Sequence, residues 1–466
     1  MRGLCIFLIL ASYAIALPSN TFKTVTDPTC GVVGDGKIDD TTALNNCIAT
    51  LPDYGVLLFE GGVSIRISSS INIHGKYGIR LLGLTSMFGG PSIGKAAPAI
   101  YWNGPDGGAM IDINNSQNFV IEGLTLFSSP NFTSGTGGAR IGFNVDQTLK
   151  VGLITTNGIF ERVNVQGMEQ NRNFIGIAFA LAGRSNIEHM TVRDSTISCS
   201  YGTSYSNAVG QGITIGGSYN AKKHLYENNS ITNCATGIYI ANGSADIFHN
   251  QFNQNGTHIY AVPADPVVIE ANDSENARQF FRGNLSYGGT IRGNRIAAVN
   301  PPKDSCAVEI DGGSTVMFEA NGFDRGTYVP VCRGPQRAGA LASKGNSYPN
   351  MTETLAGFQT FVYGLTSEMD GIPGLGGFAA LATSGSHFSE DKPTAGMGFL
   401  YYNKDAQAWQ ISENGKPYTH LGAGLPIRTP KSSRDTCKKG DVFEDSSYIY
   451  VCVADNTIKR AALASF

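Results

Sequence analysis

The chain has 466 residues, with 34 Lys+Arg against 37 Asp+Glu and a formal net charge of −3. So even a balance gives no support to nucleic acid as a partner. Glycine counts 58 and charged residues make up only 15%, a composition that suits many short strands and tight turns better than long helices.

The chain opens on one arginine, Arg2, an apolar run from Leu4 to Leu10, and the small residues Ala11, Ser12, Ala14 and Ala16. These three zones read as a secretory signal over residues 1–16, cleaved near Ala16, which places the mature protein outside the cell. No later apolar run reaches 18 residues, so no membrane association is expected once the signal is removed. Cys5 lies in that segment; the other eight cysteines form an even set suited to an oxidising compartment. Sequence proximity suggests Cys30–Cys47, Cys199–Cys234, Cys306–Cys332 and Cys437–Cys452, one of many connectivities eight cysteines allow. Neither Cys-x-x-Cys nor His-x-x-x-His occurs, which leaves zinc without support. Eight Asn-x-Ser/Thr sequons, at Asn114, Asn131, Asn228, Asn242, Asn255, Asn272, Asn284 and Asn350, permit glycosylation without requiring it.

Next comes Gly34-Asp35-Gly36-Lys37-Ile38-Asp39-Asp40. Asp39 or Asp40 is placed to cap a helix. Leu44, Cys47, Ile48 and Leu51 then fall on one helical face, and Pro52 stops it. A calcium loop would need alternating oxygen ligands and a closing bidentate Glu, which this stretch lacks. Beyond it, Tyr54–Gly62 and Val63–Gly75 read as a buried strand, a turn and alternating strands.

Further along, a six-residue frame recurs: apolar, any, any, Asn, any, apolar. It runs through Tyr226–Ile231, Ile247–Phe252, Ile269–Ser274 (with a polar last position), Ile291–Ile296 and Phe318–Phe323, with asparagines 21, 22, 22 and 27 residues apart. Looser copies, with an apolar residue in the Asn position, lie at Ile121–Leu126, Phe160–Val165 and Ile187–Val192. A period near 22 residues is a solenoid signature, and a parallel β-helix accommodates it: rungs about 4.8 Å apart, apolar columns inside, and asparagines bonded in a ladder at one turn. Asn272 belongs to both ladder and sequon, so that sequon should stay unmodified.

The order Gly-Asp-Gly, Asp-Asp-Thr, short amphipathic helix, apolar strand, Gly turn, alternating strand resembles the N-terminal region of the pectate-lyase-like β-helix superfamily. The likeness is to its rhamnogalacturonase/epimerase-type and phage tailspike-type members. It is sharp over residues 22 to 90 and continues by rung period to residue 350. Glu60-Gly61-Gly62 departs from the proline and glycine usual at that turn. The resemblance implies that the helix caps the open end of the solenoid, and that the protein acts on or binds polysaccharide at the outer face of its strands. Asn-Thr-Asp, Gly-His-Gly and Arg-Ile-Lys are all absent, so the family's pectin-hydrolase residues do not carry over. The expected fold is all-β: a right-handed parallel β-helix over 17–350 with an N-terminal capping helix. A Gly-rich irregular or β region over 351–425 and a small disulfide-clamped C-terminal β module over 426–466 follow.

Within the frame, the residue after the first apolar position gives an outward column: Glu122, Glu161, Glu188, Glu227, Phe248, Glu270, Arg292 and Glu319. Adjacent rungs would set carboxylates about 5 Å apart and alternate rungs about 10 Å, bracketing the glycosidase geometries of about 5 Å and about 6.5–9.5 Å. Glu161, Glu188 and Glu227 are the expected catalytic carboxylates, because long inserts flank them, with Asp194 and His189 as neighbours. Tyr201 and Tyr205, in a Ser/Gly/Tyr-rich insert, are candidate sugar-stacking residues. A solvated acidic edge is the competing account of the column. No metal or cofactor is implied for hydrolysis; a β-eliminating lyase would add calcium to neutralise a uronate. The function expected is cleavage of a polysaccharide by hydrolysis or β-elimination. The alternative is a non-catalytic glycan-binding or structural spike, assembled as a homotrimer like tailspike-type relatives.

Overall fold

The computed structural model describes residues 21–84, 97–129 and 138–148, most of 154–346, isolated strands between 363 and 421, and 429–462. Two compact units are present: Met1–Gly339 with Ser343–Glu353, and Ala340–Ala342 with Thr354–Phe466.

In the first unit the chain coils so that each turn gives one strand to each of three parallel sheets. One turn, for example, is Ala245–Phe248, Gln251–Asn253 and Thr257–Ala261, after which Val267–Glu270 pairs back onto the first. Sheet 1 has 12 strands from Phe22–Thr24 to Leu341–Lys344, sheet 2 has 11 from Asp35–Asp39 to Gly322–Phe323, and sheet 3 has ten from Ile71–His74 to Val329–Arg333. This is the expected right-handed parallel β-helix.

Alternation decides what lies inside. In sheet 1, Phe160, Val192, Tyr226, Ile247, Ile269, Ile291 and Phe318 are in register and none is exposed. Burying each such side chain is worth about 1.5–3 kcal/mol. The corner from sheet 1 to sheet 2 repeats as well. Its leading residue is left-handed at Gly123, Arg162, Asp194, Asn228, His249, Ala271, Gly293 and Ala320, with φ from 52° to 67°. The next position holds the ladder. Asn229, Asn250, Asn272, Asn294 and Asn321 each donate Nδ2 to the following Oδ1 at 2.9–3.0 Å, and the run continues to Asn346. Each Oδ1 from Asn250 onward also accepts the backbone N–H of the preceding ladder residue.

One frame is corrected. The rung expected at Ile187–Val192 is seated five residues later, on the sheet 1 strand Thr191–Arg193. Val192 faces inward, Arg193 takes the outward column, Asp194 turns the corner, and Ser195 takes the ladder position, its N–H bonded to Asn229 Oδ1 at 3.1 Å. Two overlapping apolar spacings compete there, and a serine hydroxyl can do the ladder's work. Ile187–Glu188 pairs instead with Thr155–Thr156 as a separate two-stranded sheet.

The helix is Thr41–Thr50, with Leu44, Cys47 and Ile48 buried; Asn45 docks it on the first rung of sheet 3 by bonding Ser70 O (3.0 Å) and Asn72 N (2.7 Å). Asp40 occupies the cap position, yet its carboxylate takes the Val33 and Gly34 amides rather than helix amides. Asp39 takes the Thr41 amide at 3.0 Å, and Asp35 folds onto the amides of Lys37 and Ile38. Every acidic side chain of this stretch ties down a turn. Cys30–Cys47 and Cys199–Cys234 are disulfide-bonded, as is Cys306.

In the second unit, residues 363–421 carry a two-stranded and a four-stranded sheet. The C-terminal module is a three-stranded antiparallel sheet, Val442–Glu444, Tyr448–Ala454 and Thr457–Ala462, around Phe443, Tyr450, Ile458 and the Cys437–Cys452 disulfide.

Candidate functional site

The acidic column on sheet 1 is ion-paired at Glu122, Glu161 and Glu270. In register it reads Glu122, Glu161, Arg193, Glu227, Phe248, Glu270, Arg292, Glu319. Arg162, at the left-handed corner, donates to both Glu122 and Glu161, and Arg193 donates to Glu161 at 2.7 Å. The Glu161 carboxylate in turn holds Arg193 above the usual guanidinium range. Arg292 donates to Glu270 at 2.8 Å. Glu161 and Glu227 therefore lie two rungs apart with a guanidinium between them. Glu188 stands outside the column, its Oε2 3.8 Å from His189 Nδ1. Asp194 accepts from Asn228 Nδ2 at 2.5 Å. Tyr205 is half-buried in a turn; Tyr201 lies outside the described residues.

Sheet 3 presents a different outer face. Its outward column runs Asn72, Asp112, Asn144, Ala178, Thr214, Tyr239, Tyr260, Arg282, Glu309. Two residues along, His74, Asn114 and Asp146 form a second column. His74 Nε2 donates to Asp112 Oδ2 at 2.8 Å, and Asn144 Nδ2 donates to Asp112 Oδ1 at 2.7 Å. Burial pushes the Asp112 carboxyl up, but the bonds from His74 and Asn144 and the imidazole charge outweigh it, so Asp112 sits below its ordinary value. Asp146 accepts backbone amides from Gln147 (2.8 Å) and Ala182 (3.1 Å). The imidazole is thus fixed by an ionised carboxylate that is itself fixed, an arrangement able to move a proton.

Connection lengths single out the same face. Sheet 1 passes to sheet 2 through two residues, as from Glu122 to Thr125 and from Glu161 to Asn164. The chain enters sheet 3 through long segments, from Phe127 to Ile141 and Ser198 to Gln211, and leaves through others, from Asp146 to Thr155 and Ile215 to His224. Solenoids carry binding function on such inserts. Sequence reasoning missed the sheet 3 residues, although a signal existed. Asn72/His74, Asp112/Asn114 and Asn144/Asp146 are each a polar pair at alternate positions of an apolar strand. Among the described residues no group of three His, Cys, Asp or Glu is arranged to hold a metal ion.

The fold is a right-handed parallel β-helix. Residues 178–349 match the family described as right handed beta helix region. A curated relative, the K30/K69-specific capsule depolymerase 1 of Klebsiella phage K5-2, is 39% identical over 71 residues; the match spans 15% of this chain and 8% of the depolymerase. Among solved structures, the A-module of the mannuronan C-5 epimerase AlgE6 of Azotobacter vinelandii aligns over 71% of this chain and 94% of its own, at 15% identity and a TM-score of 0.47. The DFA-IIIase of Arthrobacter chlorophenolicus A6 aligns over 70% and 88%, at 13% identity and 0.48. ORF18 of Geobacillus virus E2 aligns over 95% and 86%, at 15% identity and 0.48.

Proposed function

We propose that this is a secreted carbohydrate-active protein that seats a polysaccharide on the outer face of sheet 3 and cleaves it there. The His74–Asp112–Asn144 arrangement carries the reading: a half-exposed imidazole held by an ionised carboxylate, on the face where the long connections emerge. Likeness to a capsule depolymerase over a short stretch supports the substrate class. Asp112 orients the ring, leaving His74 Nδ1 to exchange a proton with the bound sugar. One such base suits β-elimination of a uronate, whereas retaining hydrolysis calls for two carboxylates about 5 Å apart. A cation meeting the uronate carboxylate, calcium or a basic side chain, completes that route.

The test incubates the protein with a panel of capsular and uronate polysaccharides, following new reducing ends and the ultraviolet absorbance of unsaturated uronates. His74→Gln and Asp112→Asn should lower turnover by about 10²–10⁴-fold, the usual worth of a positioned acid–base group. Unchanged turnover in both would remove the dyad from the mechanism.

The second reading is a non-catalytic glycan-binding spike assembled as a homotrimer, which the short likeness to a phage depolymerase also admits. Light scattering on the full chain distinguishes a trimer from a monomer.

A further inference from the structure

We propose a second glycan-binding subsite on sheet 3, at Tyr239, Tyr260 and Arg282, separate from the His74–Asp112 arrangement. It rests on the reading that the protein handles polysaccharide. Asp112 and Tyr239 stand four rungs apart on one column, about 19 Å along the axis. Between them Ala178 and Thr214 are covered, at 0% and 2% exposure, so the two accessible stretches of the face are distinct.

Tyr239 and Tyr260 are paired in register with ring centroids 5.5 Å apart and planes tilted by 56°; both rings are half-buried. Arg282 follows on the next rung, exposed, with its guanidinium carbon 5.6 Å from the Tyr260 ring centroid. Behind it the nearly buried Glu309 approaches Arg282 Nε at 3.5 Å, and Gln279 Nε2 fixes the other Glu309 oxygen at 3.0 Å. The guanidinium is therefore held beside the ring before any ligand arrives, which lowers the ordering cost of binding.

Two tyrosines pointing out of a solenoid add nothing to its core columns. On the same rungs sheet 2 carries Ser230, Thr232, Gln251 and Asn253, so outward aromatics are no general requirement of these coils. A ring face beside fixed charged donors and acceptors matches a pyranose sugar, whose C–H face stacks on aromatics while its hydroxyls or carboxylate bond at the edge. A polymer can engage this subsite and the His74 end together; a short oligosaccharide reaches one.

Affinity electrophoresis of the full chain through gels containing capsular polysaccharides, alginate or polygalacturonate tests this. With any polymer that retards the wild type, Tyr239→Ala/Tyr260→Ala should weaken binding by about tenfold, from two lost stacking contacts. Arg282→Gln should weaken it severalfold. Tyr239→Phe/Tyr260→Phe, which keeps the rings, should bind as wild type and serves as the folding control. Wild-type retardation by the alanine variant and Arg282→Gln overturns the subsite while leaving the polysaccharide reading intact. A wild type that no polymer retards overturns both.

Discussion

His258 lies wholly inside the coil, its ring stacked on Phe252 at 5.2 Å and edge-on to Phe280 at 6.4 Å. Its Nδ1 accepts from Asn255 Nδ2 at 3.0 Å, so the proton sits on Nε2, which has no partner. His224 is likewise enclosed, bonded to Ile187 O and Tyr226 Oη. Burial depresses both pKa values from the ordinary 6.5, to about 3 for His258 and to about 4 for His224. Both folded values lie below the unfolded one, so the unfolded chain binds protons that the native state refuses. Stability is complete above about pH 7 and is lost as pH falls through 6.5 toward 4, by about 2 kcal/mol per histidine at pH 5. Urea midpoints of wild type and His258→Gln at pH 7 and 5 check this. The variant should lose less stability on acidification, and equal losses would mean His258 is not held neutral.

At the scale of the element, the corner and its ladder explain why the fold was legible. Asn250 and Asn272 repeat every 22 residues because each must bond the asparagine of the next rung, a demand that sequence records directly. Asn272→Ala removes the bonds to Ile247 O, Asn294 Oδ1 and both Asn250 donors. It should cost about 3–5 kcal/mol, seen as a large fall in Tm; Asn276→Ala, at a partly buried corner, should stay within about 1 kcal/mol. Mass spectrometry should find the Asn272 sequon unmodified in the folded protein, because its amide is buried in that ladder. Ala271, left-handed at φ 52°, should gain about 0.5–1 kcal/mol when replaced by glycine. The Ile187 rung was misread because its ladder residue is Ser195, and apolar spacing alone cannot fix a register. The proposed site was less legible for a related reason. A column of glutamates looks catalytic in one dimension, whereas the arginines that neutralise it, Arg162 and Arg193, arrive from a corner and from the displaced rung.

Across the β-helix as a whole, the three faces differ in their outward chemistry. Sheet 1 carries ion pairs at Glu122, Glu161 and Glu270, sheet 2 is polar and uncharged from Asn164 to Asn253, and sheet 3 carries the fixed imidazole and Asp112 on the early rungs and the half-buried tyrosines on later rungs with short connections. Sheet 1 pairs are partly exposed, so each should add no more than about 1 kcal/mol and weaken in salt; Glu161→Gln should leave polysaccharide turnover unchanged. The most direct measurement sets turnover of one cleaved capsular or uronate polymer by His74→Gln beside that by Glu161→Gln and Glu227→Gln, all with melting curves equal to wild type. Loss of turnover by at least about a hundredfold in the sheet 3 variant, with both sheet 1 variants active, is the predicted result. Activity retained by His74→Gln and lost with Glu161 or Glu227 would contradict it and return the site to the outer face of sheet 1.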